Sequence, residues 1–250
     1  MHPYLNNALR AARRAAESLI SGQDRLDSEV REGKPLQNIL PNYLRNAEQA
    51  VVRLLAKSYP EHYIVGNYDA IGDSSSQARW EIQVVDSNIN YVRQIPSFAL
   101  AVTYYFRDKP EHAVIINPAT QEEYTASKGR GAQSNGRRIR FSDNFQAVGK
   151  SLSGNWMKSK NFEQAAKLRD ADYTLYDVES PLLGLCYASS GKADGAILVK
   201  SDIKLDAAIL IAQEAGALIG DSKGGPKPSD DIFVASPRVF KQVVQLLKAQ

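Results

Sequence analysis

The last third of the chain alternates between segments with helical spacing of apolar residues and short apolar runs typical of strands. These segments are a helix at residues 182–189, a strand at 196–199, a helix at 206–217, a strand at 232–235 and a helix at 237–248. Strands and helices that alternate in this way form sheets whose faces are covered by helices. The pattern therefore predicts an α/β or α+β architecture.

Residues 1–60 predict two amphipathic helices. Apolar residues recur at helical spacing over residues 5–20, and arginines fill the positions between them. Residues 21–42 are polar and irregular, which favours a loop. Pro41 suits the first turn of a second helix, because a missing N–H costs nothing there, and Pro60 ends that helix.

The middle of the chain predicts an antiparallel meander. Three strand-like runs lie at residues 98–106, 112–116 and 123–126, and the first two are separated by a charged turn that ends in Pro110. We expect one structural unit over residues 1–250. In this unit, residues 1–145 carry two helices and the larger antiparallel sheet, and residues 146–250 form a smaller alternating α/β part.

Composition excludes several classes of protein. The 250 residues are 43% hydrophobic, which is enough for a packed core, and the net charge of +3 does not by itself indicate a nucleic-acid binder. The single cysteine, Cys186, excludes an internal disulfide and favours a reducing compartment. The sequence has neither an apolar run long enough to cross a bilayer nor a secretory leader pattern, so we expect a cytoplasmic protein.

Common catalytic signatures are absent from the sequence, including phosphate loops, dinucleotide-binding motifs and zinc-protease motifs. The three histidines, His2, His62 and His112, lie far apart in sequence and favour surface positions over acid–base catalysis. Cys186 shares an apolar helical face with Leu182, which favours a packed thiol over a nucleophile. Individual nucleophiles and bases therefore do not identify a site.

Five short strings carry more information because they occur in a fixed order along nearly the whole chain. They are MHP-x-LN at the start, KSYPEH at residues 57–62, Trp80 followed by Asp86, Asn90, Tyr91 and Pro96, the block NPATQEEYTASKGRGAQSNG at 117–136, and Leu205-Asp206-x-Ala208 with Gln213-Glu214-Ala215-Gly216. Together they resemble the inositol monophosphatase family, most closely its bacterial SuhB-like branch. The resemblance implies a layered αβαβα sandwich, a homodimer and a Mg²⁺-dependent phosphomonoesterase acting on inositol monophosphate or a related small ester.

The resemblance also assigns the metal ligands. Two carboxylates of the family pattern remain, Asp86 and Asp206, and the main-chain carbonyl ligand falls at Val85. Five other positions have lost their metal-binding or water-positioning groups, namely Pro41, Leu44, Asn67, Tyr68 and Gln83. Neighbouring Mg²⁺ ions need shared anionic oxygens, so we expect either no metal or one weakly bound Mg²⁺.

The substrate side departs from the family pattern as well. Ser87 and Asn88 replace the Gly-Thr pair that offers backbone N–H groups to phosphate, and Ser180 remains from a G-[ST]-A segment. In that segment Glu179 replaces glycine and introduces a negative charge that would repel a phosphate ester. We therefore assign Ser87, Asn88 and Ser180 to substrate binding only by analogy.

Two hypotheses follow. In the first, the chain is a pseudo-phosphatase that binds a partner, which the resemblance suggests belongs to the transcription antitermination machinery. Five basic residues without an intervening acid could face RNA or an acidic protein, although such a run is also typical of a solvated hairpin rim; they are Lys128, Arg130, Arg137, Arg138 and Arg140. In the second, a residual phosphatase uses Asp86 and Asp206 with Asp69, Asp73 or Glu81.

Overall fold

Two long helices precede a large mixed sheet in the first part of the chain. The computed structural model describes residues 2–141, 149–157, 162–199, 201–228 and 230–248. The elements up to residue 141 are α1 (Pro3–Arg31), α2 (Leu36–Ser58), β1 (Tyr63–Val65), β2 (Ala70–Ile71), β3 (Ala78–Gln83), α3 (Asn88–Val92), β4 (Leu100–Phe106), β5 (Lys109–Asn117), β6 (Glu122–Ser127), β7 (Gly131–Ser134) and β8 (Arg137–Ile139). The strands form one eight-stranded sheet in the order β2-β1-β3-β4-β5-β6-β7-β8.

A second sheet follows. Its elements and flanking helices are β9 (Lys150–Gly154), α4 (Phe162–Asp170), β10 (Tyr173–Asp177), α5 (Pro181–Ser189), β11 (Gly195–Val199), α6 (Asp206–Glu214), β12 (Leu218–Gly220), β13 (Asp231–Ala235) and α7 (Pro237–Lys248). The five strands run in the order β10-β9-β11-β13-β12. The expected boundary between the two parts, at residues 145 and 146, lies outside the described residues.

Three apolar clusters define the layers. The first lies between the helix pair α1 and α2 and one face of the large sheet, and the second lies around α5 and α6 between the two sheets. The third packs α4 and α7 on the outer face of the small sheet. The predicted αβαβα sandwich is therefore confirmed, and the space between the sheets is where α5 and α6 begin. None of the helices in the described ranges combines the length and apolar character that a bilayer crossing requires.

The predicted loop at residues 21–42 is wrong. Helix α1 continues to Arg31 because Gly22 and Leu26 extend its buried stripe, and a Cβ at residue 22 would lie only 2.9 Å from the Tyr43 ring. Helix α2 already begins at Leu36, so Pro41 lies inside the helix and not in its first turn. A proline this close to the start removes one hydrogen bond and leaves the helix intact.

The predicted surface positions of the histidines are also wrong for His112, which is 9% exposed. Alternation along β5 turns its side chain toward α1, where its ring stacks on His2 with the centroids 4.3 Å apart. His62 joins the same aromatic cluster, and its Nδ1 accepts a hydrogen bond from the Trp80 ring N–H at 3.0 Å. Residues distant in sequence thus meet because helix α1 crosses the sheet.

Candidate functional site

The positions that the resemblance assigns to metal ligands begin at the end of β3. Side chains of β3 alternate between the faces of the sheet, so Trp80 and Ile82 pack beneath α1 and α2 whereas Gln83 points toward the second sheet. Gln83 is 7% exposed, and its side-chain nitrogen donates to the Val85 carbonyl oxygen at 3.1 Å. An amide N–H therefore satisfies the oxygen that would bind a cation in the family pattern.

Asp86 is a buried acceptor with three donors. Its Oδ1 accepts from the Ala99 backbone N–H at 2.8 Å, and its Oδ2 accepts from the Ser180 hydroxyl at 2.6 Å and from the Leu182 N–H at 3.0 Å. Burial raises the pKa of Asp86 to about 6, and the three donors oppose that rise. Because Ala99 precedes β4 and Ser180 caps α5, this carboxylate ties the large sheet to the layer between the sheets.

Asp206 is the exposed first residue of α6. Its Oδ2 accepts from the Tyr105 hydroxyl at 2.7 Å, and the same hydroxyl oxygen lies 3.1 Å from Glu81 Oε2. Burial and the neighbouring carboxylates raise the pKa of Tyr105, so the hydroxyl keeps its proton. Asp206 thus meets Glu81, one of the three alternative acids, whereas Asp69 and Asp73 lie in the turns on either side of β2.

Side-chain cations already flank Glu81. The Arg79 Nε and the Lys204 Nζ each lie 3.5 Å from Glu81 Oε1. The Arg79 guanidinium also covers the Tyr105 ring, 4.4 Å from its centroid. A divalent cation that approached this pair of carboxylates would meet two fixed positive charges, which disfavours its binding.

Glu48 of α2 is a residue that the sequence patterns did not single out. It is fully buried, and its carboxylate accepts from the backbone N–H groups of Asn67 at 2.6 Å, Tyr68 at 3.0 Å and Asp69 at 2.8 Å. A Cβ on Gly66 would lie 2.2 Å from the Glu48 Cδ, so the bound carboxylate requires glycine there. The available signal was a glutamate within the apolar stripe of a helix.

The remaining departures bring no carboxylate to the end of β3, and the amide oxygen that lies there is already an acceptor. The Asn67 Oδ1 accepts from the Val84 N–H at 3.1 Å, and the Tyr68 ring lies beneath the Arg45 guanidinium at 5.6 Å. Leu44 is 4% exposed and belongs to the first apolar cluster. Pro41 is exposed on α2 and has no hydroxyl to orient water.

A cavity of about 250 Å³ lies beside Asp86. The residues that line it include Asp86, Ser87, Asn88, Ser180 and Leu198. Ser87 caps α3 by accepting from the Asn90 N–H, while the Ser180 hydroxyl is committed to Asp86. Glu179, also on the cavity wall, has a φ of +50°, a backbone conformation that favours glycine. The chain therefore keeps a glycine-like backbone shape and adds a carboxylate where the family pattern has none.

These residues do not fit a cluster of Mg²⁺ ions. Mg²⁺ prefers near-octahedral oxygen ligands, and adjacent ions need shared carboxylates. In the part of the chain that the structure describes, no three His, Cys, Asp or Glu side chains lie close enough together to hold a metal ion. Both oxygens of Asp86 are bound to protein donors, and Asp206 does not line the cavity.

Comparison with known proteins identifies the family. The family model described as "Inositol monophosphatase family" matches residues 1–248. The chain belongs to the inositol monophosphatase family. It is 31% identical to the protein named Nus factor SuhB of Vibrio cholerae over 99% of this chain and 97% of that protein. The Nus factor SuhB of Pseudomonas aeruginosa is 32% identical with the same coverage, which confirms the similarity to the SuhB-like branch.

Solved structures support the fold. The extragenic suppressor protein suhB from Bartonella henselae has a TM-score of 0.81 at 23% identity and covers 100% of both chains. The Thermotoga maritima IMPase has a TM-score of 0.81 at 21% identity, with coverage of 98% of this chain and 97% of that chain. The chain therefore has the fold of these structures.

Proposed function

We propose that this family member is catalytically impaired and acts by binding partners in the transcription machinery. One observation supports the first half of the proposal, which is catalytic impairment. Gln83 donates an amide N–H to the Val85 carbonyl, and both oxygens of Asp86 accept hydrogen bonds from the protein. Protein N–H and O–H groups thus bind the oxygens that would bind metal ions in the family pattern.

The magnitude of the loss supports impairment over modest slowing. Removal of one preorganised electrostatic group from a catalytic site costs roughly 2.7 to 4 kcal/mol. Two such losses, at the positions of Asn67 and Gln83, correspond to about four to six orders of magnitude in rate, since each 1.36 kcal/mol is tenfold. Glu179 on the cavity wall adds repulsion toward a phosphate ester.

The name Nus factor SuhB, borne by relatives that match nearly the whole chain, supports a partner in the transcription machinery. The basic run offers such a partner a positively charged binding surface. Lys128 pairs with Glu111 at 2.8 Å, whereas the four arginines of the run are exposed and form no ion pair with a described residue. Those arginines are Arg130, Arg137, Arg138 and Arg140.

A phosphate-release assay tests the first half. The purified protein is incubated with inositol 1-phosphate and with p-nitrophenyl phosphate over series of Mg²⁺ and Mn²⁺ concentrations, and we expect no metal-dependent turnover. Asp206→Asn is the informative variant, because Asp206 is exposed and its substitution spares the buried contacts of Asp86. Turnover that requires Mg²⁺ and disappears in Asp206→Asn would overturn the proposal.

A second candidate function is a Mg²⁺-dependent phosphomonoesterase with an altered site. The observation that favours it is the meeting of Asp206 and Glu81 at the Tyr105 hydroxyl, since one hydrated Mg²⁺ commonly takes only one or two carboxylates. The positive charges of Lys204 and Arg79 beside Glu81 disfavour Mg²⁺ binding there. Calorimetric titration with Mg²⁺ distinguishes the two candidate functions, because this one requires Mg²⁺ binding that is lost in both Asp206→Asn and Glu81→Gln.

Affinity capture from extract of the natural host tests the second half. With the tagged protein as bait, we expect mass spectrometry to find RNA polymerase or Nus factors enriched over a bait in which Arg130, Arg137, Arg138 and Arg140 are replaced by glutamate. Equal enrichment with both baits would exclude the basic run as the binding surface. The family pattern also leads us to propose a homodimer, which sedimentation equilibrium tests directly.

A further inference from the structure

A second cavity, of about 290 Å³, lies on the opposite side of the large sheet from α5 and α6. We call it the hairpin cavity, because the β6–β7 hairpin forms one wall and the first turns of α1 form the other. The polar residues His2, Thr125, Ser127, Arg130 and Gln133 line it, and so does the apolar Leu5. Its volume lies near the lower end of the usual range for small-molecule pockets, about 300 to 1,000 Å³.

Strand register places the polar side chains on one face. Thr125 and Ser127 alternate with the buried Ala126 and share the α1 side of the sheet with Glu123 and His112. Gln133 lies opposite Thr125 on the neighbouring strand, and Arg138 lies opposite Gln133 on the edge strand. The wall therefore combines hydroxyl, amide and guanidinium groups in one row.

Two of these groups lack protein partners. Thr125 is 6% exposed, yet its hydroxyl forms no hydrogen bond with any described residue. The Gln133 side-chain amide likewise has no hydrogen-bond partner in the described ranges. Both polar groups face the cavity without a hydrogen-bond partner among the described residues, so a ligand that enters the cavity can pair with them.

Unneutralised positive charge surrounds the cavity. Arg130 lines it, and the Arg138 guanidinium packs over Gly131, with Nη2 at 3.2 Å from the position of an added Cβ. The nearby acids each have another partner: Glu214 accepts from the Gly129 and Gly131 N–H groups at 2.7 Å each, Glu111 pairs with Lys128 at 2.8 Å, and Glu123 pairs with Arg13 at 2.6 Å. Arg130 and Arg138 form no ion pair with a described residue and can therefore pair with an entering anion.

The last wall is aromatic. The His2 ring, which lines the cavity, is held in place by stacking on His112 at 4.3 Å and by accepting from the Tyr4 N–H with Nδ1 at 3.3 Å. RNA bases outside a duplex stack on such rings, and guanidinium groups bind the phosphates between them. A protein carboxylate would pair with the arginines alone and leave the hydroxyl, the amide and the ring unused.

We propose that the hairpin cavity binds one nucleotide of single-stranded RNA. Arg130 and Arg138 hold the phosphate, Thr125 and Gln133 hydrogen-bond the sugar or the base edge, and the base stacks on His2. The inference rests on the proposed function to the extent that transcription machinery presents nascent RNA. It assigns separate tasks within the basic run, because Arg137 precedes Arg138 on strand β8 but points to the other face of the sheet.

Fluorescence anisotropy with a labelled single-stranded RNA oligonucleotide tests this assignment over a series of KCl concentrations. We expect Arg130→Ala and Arg138→Ala each to weaken binding about tenfold, as the loss of a charge-assisted hydrogen bond predicts. Each also lowers the slope of log affinity against log salt by about 0.7, the value for one phosphate contact on a single strand. Thr125→Val weakens binding about fivefold and leaves the salt slope unchanged, because it removes a neutral hydrogen bond.

Arg137→Ala is the matched control, since it removes the same charge from strand β8, next to Arg138 but on the opposite face of the sheet. Loss of affinity equal to that of Arg130→Ala would overturn the proposal in favour of a diffuse basic surface. Displacement of RNA by poly-glutamate at equal charge would overturn it in favour of an acidic protein. Binding of free AMP as tight as that of the oligonucleotide would overturn it in favour of a free nucleotide.

Thermal unfolding of each variant checks its fold. If Thr125→Val unfolds early, Gln133→Met replaces it, because Gln133 is partly exposed and methionine keeps the side-chain length without the amide. Absence of RNA binding by the parent, with capture of RNA polymerase or Nus factors retained, would overturn only this inference. Absence of both would overturn the proposed function as well.

Discussion

Substitution of Asp86 tests whether this carboxylate stabilises the fold or binds a metal ion. If Asp86 is a structural acceptor, Asp86→Ala leaves the Ala99 N–H, the Leu182 N–H and the Ser180 hydroxyl without their acceptor. Ala99 and Leu182 are fully buried and Ser180 is 1% exposed, so solvent does not simply replace the lost partner. If Asp86 instead serves a cation, its removal relieves an unfavourable buried charge.

The contacts give the size of the effect. An unpaired buried donor costs about 1 to 3 kcal/mol, so three of them cost about 6 kcal/mol. Against this, a pKa of about 6 in place of 3.8 means that ionised Asp86 is itself disfavoured by about 3 kcal/mol relative to its protonated form. The expected net loss for Asp86→Ala is therefore about 3 kcal/mol. Asp86→Asn keeps one acceptor oxygen and loses about 2 kcal/mol.

Urea unfolding followed by circular dichroism at neutral pH, with and without Mg²⁺, measures these losses. Asp206→Asn is the control, because it removes a charge at an exposed position with one hydrogen bond and should cost less than about 1 kcal/mol. A free energy of unfolding for Asp86→Ala within about 0.5 kcal/mol of the parent would refute the argument. So would stabilisation of the parent by Mg²⁺ that Asp86→Asn abolishes.

The pH dependence has a defined sign. Because the pKa of Asp86 rises from 3.8 to about 6 on folding, the folded chain binds more protons than the unfolded chain between those values. The contribution of this residue to stability is therefore fully present below pH 3.8 and is lost as the pH rises through about 6. The difference in unfolding free energy between the parent and Asp86→Asn should change across that window and stay constant above it.

Three further predictions follow from other contacts. Gly66→Ala should cost about 3 kcal/mol by chemical denaturation, because the added methyl displaces the buried Glu48 carboxylate from its N–H donors. Gly33→Ala has open space around the added methyl but a φ of +86°, so it should cost only the backbone strain of about 1 to 2 kcal/mol. Gln83→Asp should lower the melting temperature, and millimolar Mg²⁺ should not restore it, because a buried carboxylate then faces the Val85 carbonyl. Burial lowers the pKa of His112 to about 4, so the folded chain resists protonation of this ring. The contribution of His112 to stability should therefore fall by about 1 to 2 kcal/mol as the pH drops from 6.5 toward 4, measured as the difference in unfolding free energy between the parent and His112→Phe.

Local patterns predict most elements after residue 181 because helices and strands alternate there with clear spacing, but they miss β9, α4, β10 and β12. The strand at 196–199 and the helix that begins at Asp206 lie where the periodicity indicates. Near the start, the same method fails because residues 23–31 carry charges on their solvent face and only Leu26 continues the stripe. The many polar residues of this segment therefore suggest a loop, although its few buried residues are enough to continue the helix.

The candidate site shows a different limit. The resemblance assigns a metal-ligand position to Gln83, but the partner of this side chain, the Val85 carbonyl, depends on the side-chain direction at the end of a strand. The donors to Asp86 lie 94 and 96 residues away at Ser180 and Leu182, and only the packing of two sheets brings them together. The resemblance therefore indicates which positions differ from the family pattern, whereas the structure shows which groups those positions contact.

The replacements explain how a metal site can be lost without loss of the fold. A cluster of carboxylates is stable only with counter-charges, so removal of the ions alone would leave mutual repulsion and unpaired acceptors. Under the proposed function, the neutral donor Gln83 takes the place of the shared ligand, while Asp86 has three protein donors and Asp206 accepts from the Tyr105 hydroxyl. Each of these acceptors has a partner without an ion, so the proposed loss of the metal site is compatible with a stable fold.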